Sequence, residues 1–336
     1  MLIRRTFQTL AVVMAILLVF VGVIWLIPER LPAATGPSPA SYEAAVALAE
    51  GRVAADDGAP DLNPDCVERA YLHEEPTDKV VVIFHGFTSC PAQWETLATE
   101  LFEAGHNVLV PRLPRHGSAD RTTDDLRRLT AEELIDLTAE MVGIARPLGD
   151  ELVVAGLSGG GSMAMWAAQR IEAIDRVVLM APLVGIGAVP DVLTKPVTNI
   201  ARIVPSFYVW WDGEGKADSP RIVDYSYPGY ETRGVGQVLR IGVGIYDEAR
   251  RAGPASDDIV LITNGNDGAV NGAEIDKLVA RWQRTDPGLG LVHYEFPESA
   301  GLPHDLITVE HPDADIDLVY PVVVEALVGD PASLGS

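Results

Sequence analysis

Cysteine is nearly absent from this chain. Cys66 and Cys90 are the only two in 336 residues. Two thiols supply no zinc-ligand spacing, so no metal site is expected, and no cofactor is called for. Positive charge is scarce too. There are 25 Lys and Arg against 48 Asp and Glu, a net charge of -23. Binding a phosphate backbone needs clustered Lys and Arg, so nucleic acid is excluded as a partner. The same charge favours solubility and disfavours close contact of a domain with an anionic membrane surface; a saline habitat would also select it. Internal repeats are lacking, and low complexity is confined to one linker.

Long apolar runs are present, once. Residues 10–27, LAVVMAILLVFVGVIWLI, carry no charge, and Arg4 and Arg5 precede them. That is 18 residues, about the length of a helix that spans a bilayer. Residues 1–30 are therefore expected to be an N-terminal transmembrane anchor, with the arginines inside and the remainder outside the cytoplasm. A cleaved secretory signal is the rival, with the protein then secreted. Residues 31–65 read as linker and N-terminal extension; the stretch 28–41, PERLPAATGPSPAS, has linker composition. If the domain is exported, Cys66 and Cys90 would form a disulfide closing a loop of about 25 residues, worth about 3 kcal/mol. Two free buried thiols are the other reading.

From residue 66 the pattern alternates. Short β-branched runs at 79–87, 106–114, 151–158, 176–185, 257–267 and 290–296 are separated by helical stretches at 91–105, 130–149, 160–171 and 273–284, with a last helix over 315–329. Alternation with short connections specifies an α/β fold, a mainly parallel sheet with helices on both faces. Residues 186–255 break the rhythm. They read as a cap inserted between two core strands.

The chemistry centres on GLSGG at 156–160, a G-x-S-x-G pattern where a buried strand meets a helix. A sharp turn there exposes the serine hydroxyl at the carboxyl edge of the sheet, and the flanking glycines leave room for the neighbouring backbone. A serine needs a base, and the base an orienting acid. Asp267 follows the next-to-last strand and His304 follows the last, in the order Ser, Asp, His. Asp257 and Asp258 precede their strand, at its wrong end; His293 lies inside a strand and His311 further toward the last helix. Oxyanion donors are expected from the amides of Phe87 and Gly159. His85 and His116 are expected to hold loops by hydrogen bonds. Aromatic residues crowd the cap; Trp210 and Trp211 line an acyl pocket or form ordinary cap core.

HGFTSCPAQW, PRLPRHG, GLSGG, NGNDGAVN and the late PHDLI together resemble the α/β-hydrolase superfamily, most of all its bacterial carboxylesterase and monoacylglycerol-lipase-like branch, over about residues 66–330. The resemblance implies an α/β-hydrolase fold with Ser158 as nucleophile, Asp267 as acid, His304 as base, and oxyanion amides from Phe87 and Gly159. It implies a serine hydrolase of carboxylic esters, acting on a small-molecule or lipid ester. Ser89–Cys90 departs from the usual Gly-Ser, Arg115 from the usual glycine before His116, and Pro303 directly precedes His304. A peptidase or amidase on the same fold, and a non-catalytic envelope binding protein, are the alternatives.

Overall fold

The computed structural model describes residues 22, 24–25, 27–213 and 219–335. Helix α1 (Tyr42–Asp57) is capped by Ser41, whose hydroxyl accepts from the Ala44 amide. The sheet contains β1 (Arg69–Tyr71), β2 (Thr77–Phe84), β3 (Asn107–Val110), β4 (Gly149–Leu157), β5 (Arg176–Met180), β8 (Asp258–Asn264) and β9 (Gly290–Phe296). Their order is β1-β3-β2-β4-β5-β8-β9; all pairs are parallel except the edge strand β1 against β3. Val80 to Phe84 and Leu152 to Leu157 are buried without alternation, because helices cover both faces of the middle strands.

Helices α2 (Glu95–Glu103), α3 (Ala131–Ala145), α4 (Gly159–Arg170), α7 (Gly272–Thr285) and α8 (Ile316–Val328) supply those covers. The start of α3 is fixed by a capping box, Thr130 with Glu133. Asp315 caps α8 through the Leu318 amide. A short 3-10 turn, Pro91–Trp94, precedes α2.

Residues 186–255 contain α5 (Asp191–Ile203), the small antiparallel pair β6 (Tyr208–Trp210) and β7 (Gly229–Glu231), and α6 (Thr232–Glu248). Cys66 and Cys90 are disulfide-bonded, with Cα atoms 5.2 Å apart. Both are fully buried, beside Tyr225 of the cap.

Parallel register brings four strand ends to one edge. Phe84 pairs with Gly156, Leu157 with Met180, Met180 with Ile262, and Asn264 with Phe296. The loops after β2, β4, β8 and β9 therefore open side by side.

The N-terminal expectation needs correction. Among the described residues no helix is long and apolar enough to cross a membrane, so the transmembrane anchor and the single-pass placement built on it are not sustained. Most of the run, residues 10–21, 23 and 26, lies outside the described residues. At its described end the chain packs on the cap. Ile24 is buried, and its carbonyl accepts from Asn199 Nδ2 at 2.8 Å. The Glu29 carboxylate is buried between Arg202 of α5 and Arg240 of α6. Leu31 fills the space beside Gly244. Those interactions hold Ile24, Glu29 and Leu31 against the protein, although the stretch from 28 on reads as a linker by composition.

Candidate active site

Ser158 sits between β4 and α4 with φ 54° and ψ -111°. A non-glycine residue at such angles is strained by on the order of 1–3 kcal/mol, and the surroundings must enforce it. They do so through the backbone. The Ser158 amide donates to Met180 O at 2.9 Å, and its carbonyl accepts from the Ser162 and Leu183 amides, each at 3.0 Å. The flanking glycines are sterically required: a Cβ on Gly156 would fall 2.2 Å from Gly160 O, and one on Gly160 would fall 2.1 Å from Phe84 O. Ser158 is also the N-cap residue of α4, so the positive end of that helix faces the site.

Asp267 and His304 meet across the loops after β8 and β9. His304 Nδ1 donates to Asp267 Oδ2 at 2.7 Å. Asp267 Oδ1 accepts from the Ala269 and Val270 amides, at 2.8 and 3.3 Å. Burial disfavours the Asp267 charge, but the His304 bond, its charge and the two amides prevail, and the carboxyl titrates below its ordinary value. Burial likewise opposes protonation of His304; the bond to Asp267, its charge and that of Asp305 outweigh it and raise the imidazole above 6.5. Asn264 Nδ2 ties the two loops together, donating to Leu302 O at 2.9 Å and Pro303 O at 3.0 Å. A proline is tolerated before His304 because only its carbonyl is used.

The loop after β2 approaches from the other side. A Cβ on Gly159 would lie 2.9 Å from Phe87 Cβ and 3.1 Å from Phe87 N, so the two expected oxyanion residues are in close contact, and a larger residue would push the Phe87 loop back. His85 and His116 prop this loop. His85 Nε2 accepts from the Leu113 amide at 3.0 Å, which leaves Nδ1 as donor to Gly86 O at 2.9 Å. His116 Nδ1 donates to Pro114 O at 2.8 Å, and its ring packs edge-on against Phe87. Burial holds both neutral: His85 well below its ordinary value, His116 down to about 4.

Ser158 and His304 line one cavity of about 220 Å³. Phe87, Ile222, Tyr227, Tyr230 and Val235 make its apolar wall; Gln93, Asp305 and Thr308 make a polar end. Trp211 lines it, with its indole N–H on Thr88 Oγ1 at 2.9 Å and its ring 4.4 Å from Tyr230. Trp210 does not line it; its ring lies against Tyr208. The signal for Tyr227 and Tyr230 was the aromatic density of the cap, but nothing in the pattern separates them from Trp210.

A parallel sheet with a strained serine turn and an Asp–His pair on its carboxyl edge defines a class: α/β proteins that carry their chemistry on the loops at that edge. The sequence profile of the alpha/beta hydrolase family matches residues 81–316, more than two thirds of the chain. The chain belongs to the alpha/beta hydrolase family. It is 30% identical over 114 residues to a thermostable monoacylglycerol lipase of Bacillus sp. (strain H-257), and 30% over 122 residues to epoxide hydrolase A of Mycobacterium tuberculosis. Those alignments span 34% and 36% of this chain and only 44% and 36% of the curated relatives' own length. Among solved structures, a soluble variant of the monoglyceride lipase of Saccharomyces cerevisiae superposes with a TM-score of 0.59 at 14% identity, covering 80% of this chain and 91% of that one. A metagenome-derived lipolytic enzyme gives 0.56 at 20% identity, covering 78% and 97%. At such identities these two likenesses establish the fold.

Proposed function

We propose that this protein hydrolyses carboxylic esters with an apolar acyl group by way of an acyl-enzyme on Ser158. One observation carries the reading. A serine in enforced positive-φ geometry shares an apolar cavity with a histidine whose Nδ1 is fixed by a buried carboxylate at 2.7 Å. With Nδ1 as donor, His304 offers Nε2 as base. It takes the Ser158 proton as Oγ bonds to the ester carbonyl carbon. The carbonyl oxygen gains the electron pair and is stabilised by the Phe87 and Gly159 amides. Collapse breaks the bond to the alkoxide, which leaves with the proton from His304. Water, deprotonated by the same histidine, releases the acid and restores Ser158. The lipase relatives support an ester as substrate, and the cavity wall supports an apolar acyl group.

A fluorophosphonate probe should label the wild type and not Ser158→Ala. Turnover of p-nitrophenyl esters of increasing chain length should exceed that of aminoacyl anilides; faster anilide cleavage would replace the esterase reading with an amidase, and absence of labelling would remove the nucleophile.

A further inference from the structure

Gln93 lies in the 3-10 turn Pro91–Trp94, remote in sequence from Ser158, Asp267 and His304, yet it is 4% exposed and lines the same cavity. Its Oε1 accepts from the Gly86 amide at 2.8 Å. Its Nε2 faces the loop after β9, donating to Thr308 Oγ1 at 3.2 Å, with Asp305 Oδ1 at 3.5 Å. Gly86 directly precedes Phe87, and Asp305 directly follows His304. One carboxamide thus joins the loop that carries an oxyanion amide to the loop that carries the base. Both ends of it are needed in their observed sense, acceptor toward Gly86 and donor toward Thr308, because the partners are a backbone N–H on one side and oxygen acceptors on the other.

We infer that Gln93 is a positioning residue, a bridge that sets the Phe87 amide and the His304 ring at a fixed mutual distance for the transition state. The inference rests on the ester-hydrolase reading above and deepens it. A misplacement of about 1 Å between reacting groups lowers rates by about 100-fold. Substrate binding draws mainly on the apolar wall, whereas the bridging side chains sit among the polar lining of the cavity. Loss of the bridge should therefore act on kcat rather than on KM.

The test compares Gln93→Leu, Gln93→Glu, Thr308→Val and the Gln93→Leu/Thr308→Val double variant on a p-nitrophenyl ester, with thermal unfolding alongside. Gln93→Leu should lower kcat about 10- to 100-fold with KM within about twofold of wild type. Gln93→Glu keeps the acceptor for Gly86 and loses the donor, so its kcat should lie between. Thr308→Val should lower kcat alone but add little to Gln93→Leu, since both break one bridge. A kcat for Gln93→Leu within twofold of wild type overturns the inference, as does a double variant whose losses multiply. If Gln93→Leu does not fold, Thr308→Val decides: unchanged kcat there overturns the bridge. Ser158-dependent turnover by the wild type in the same assay keeps the two claims apart. Its absence sinks the esterase reading, whereas an active wild type with an indifferent Gln93 sinks only the bridge.

Discussion

His304 is the residue whose chemistry is most exposed to measurement. As the proposed base it would work only when neutral, and its imidazole is raised above 6.5 by Asp267 and Asp305. Activity should therefore climb as pH rises through that raised value, placing the acid limb of kcat/KM above 6.5. Asp267→Asn removes the charge that opposes burial. The limb should then move down, and kcat should fall by about ten-thousandfold as the wrong imidazole tautomer becomes available. A limb that stays in place in Asp267→Asn would show that another group sets it. The order Ser158, Asp267, His304 was legible in the sequence because each follows a β-branched run, and parallel strands put such positions on one edge. Arg115 was legible only as an oddity. Its φ of 67° explains why a glycine is usual at that position: this chain holds an arginine there in left-handed geometry, with its guanidinium on Glu133. Gln93 gave no signal, since nothing local marks a glutamine whose partner is 215 residues away.

At the scale of elements, the core strands and helices were readable from their period, and the cap was not. Helix α5 contains Pro196, and α6 carries glycines at 234, 236, 242 and 244. Both features lower helix propensity. The glycines serve close packing instead: a Cβ on Gly234 would lie 2.6 Å from Leu126 O, and one on Gly242 would lie 2.9 Å from Leu183 O. Strand β1 escaped notice because three residues at an edge make no pattern. The Cys66–Cys90 bond binds the end of the loop after β2 to the short turn Pro64–Cys66 that precedes β1. Replacing both cysteines by serine should lower unfolding stability by about 3 kcal/mol, read by denaturant titration. It should also lower kcat on esters more than it raises KM, because the loop that ends at Cys90 carries Phe87. Equal stability of the two forms would show that burial alone holds this corner.

For the whole molecule, pH acts on stability through buried histidines. His116 binds its proton at about 4 when folded and near 6.5 when unfolded. The unfolded chain thus holds more protons between those values, and stability must fall as pH falls through them. The loss from His116 alone is about 3 kcal/mol, complete near pH 4. His85, shifted in the same direction, adds to it. His304 has the opposite sign and a different window: its raised folded value contributes stability that is present below 6.5 and lost as pH rises through the folded value, so it leaves the decline between 6.5 and 4 intact. Thermal midpoints should decline from pH 6.5 to 4, and His116→Phe should flatten that decline. An equally steep decline in the variant would assign it to other groups.

Glu29 gives the boundary of the protein a meaning that composition conceals. Cutting the chain after residue 30 looks harmless, since it removes an apolar run and part of a proline-rich stretch. It would also strip the carboxylate from two cap arginines, Arg240 with its side chain 13% exposed and Arg202 at 28%. Arg240 would keep Glu132 as a partner, but Arg202 would lose its counter-ion, and the fold should weaken by about 1 kcal/mol, less than for a fully buried pair because Arg202 still reaches water. A version beginning at residue 22 keeps Glu29 and should match the full chain in thermal midpoint, whereas one beginning at residue 31 should melt earlier and turn over esters less well. In mechanical terms Glu29 and Leu31 are a wedge seated against α5 and α6, and their removal should loosen the cap above Ser158.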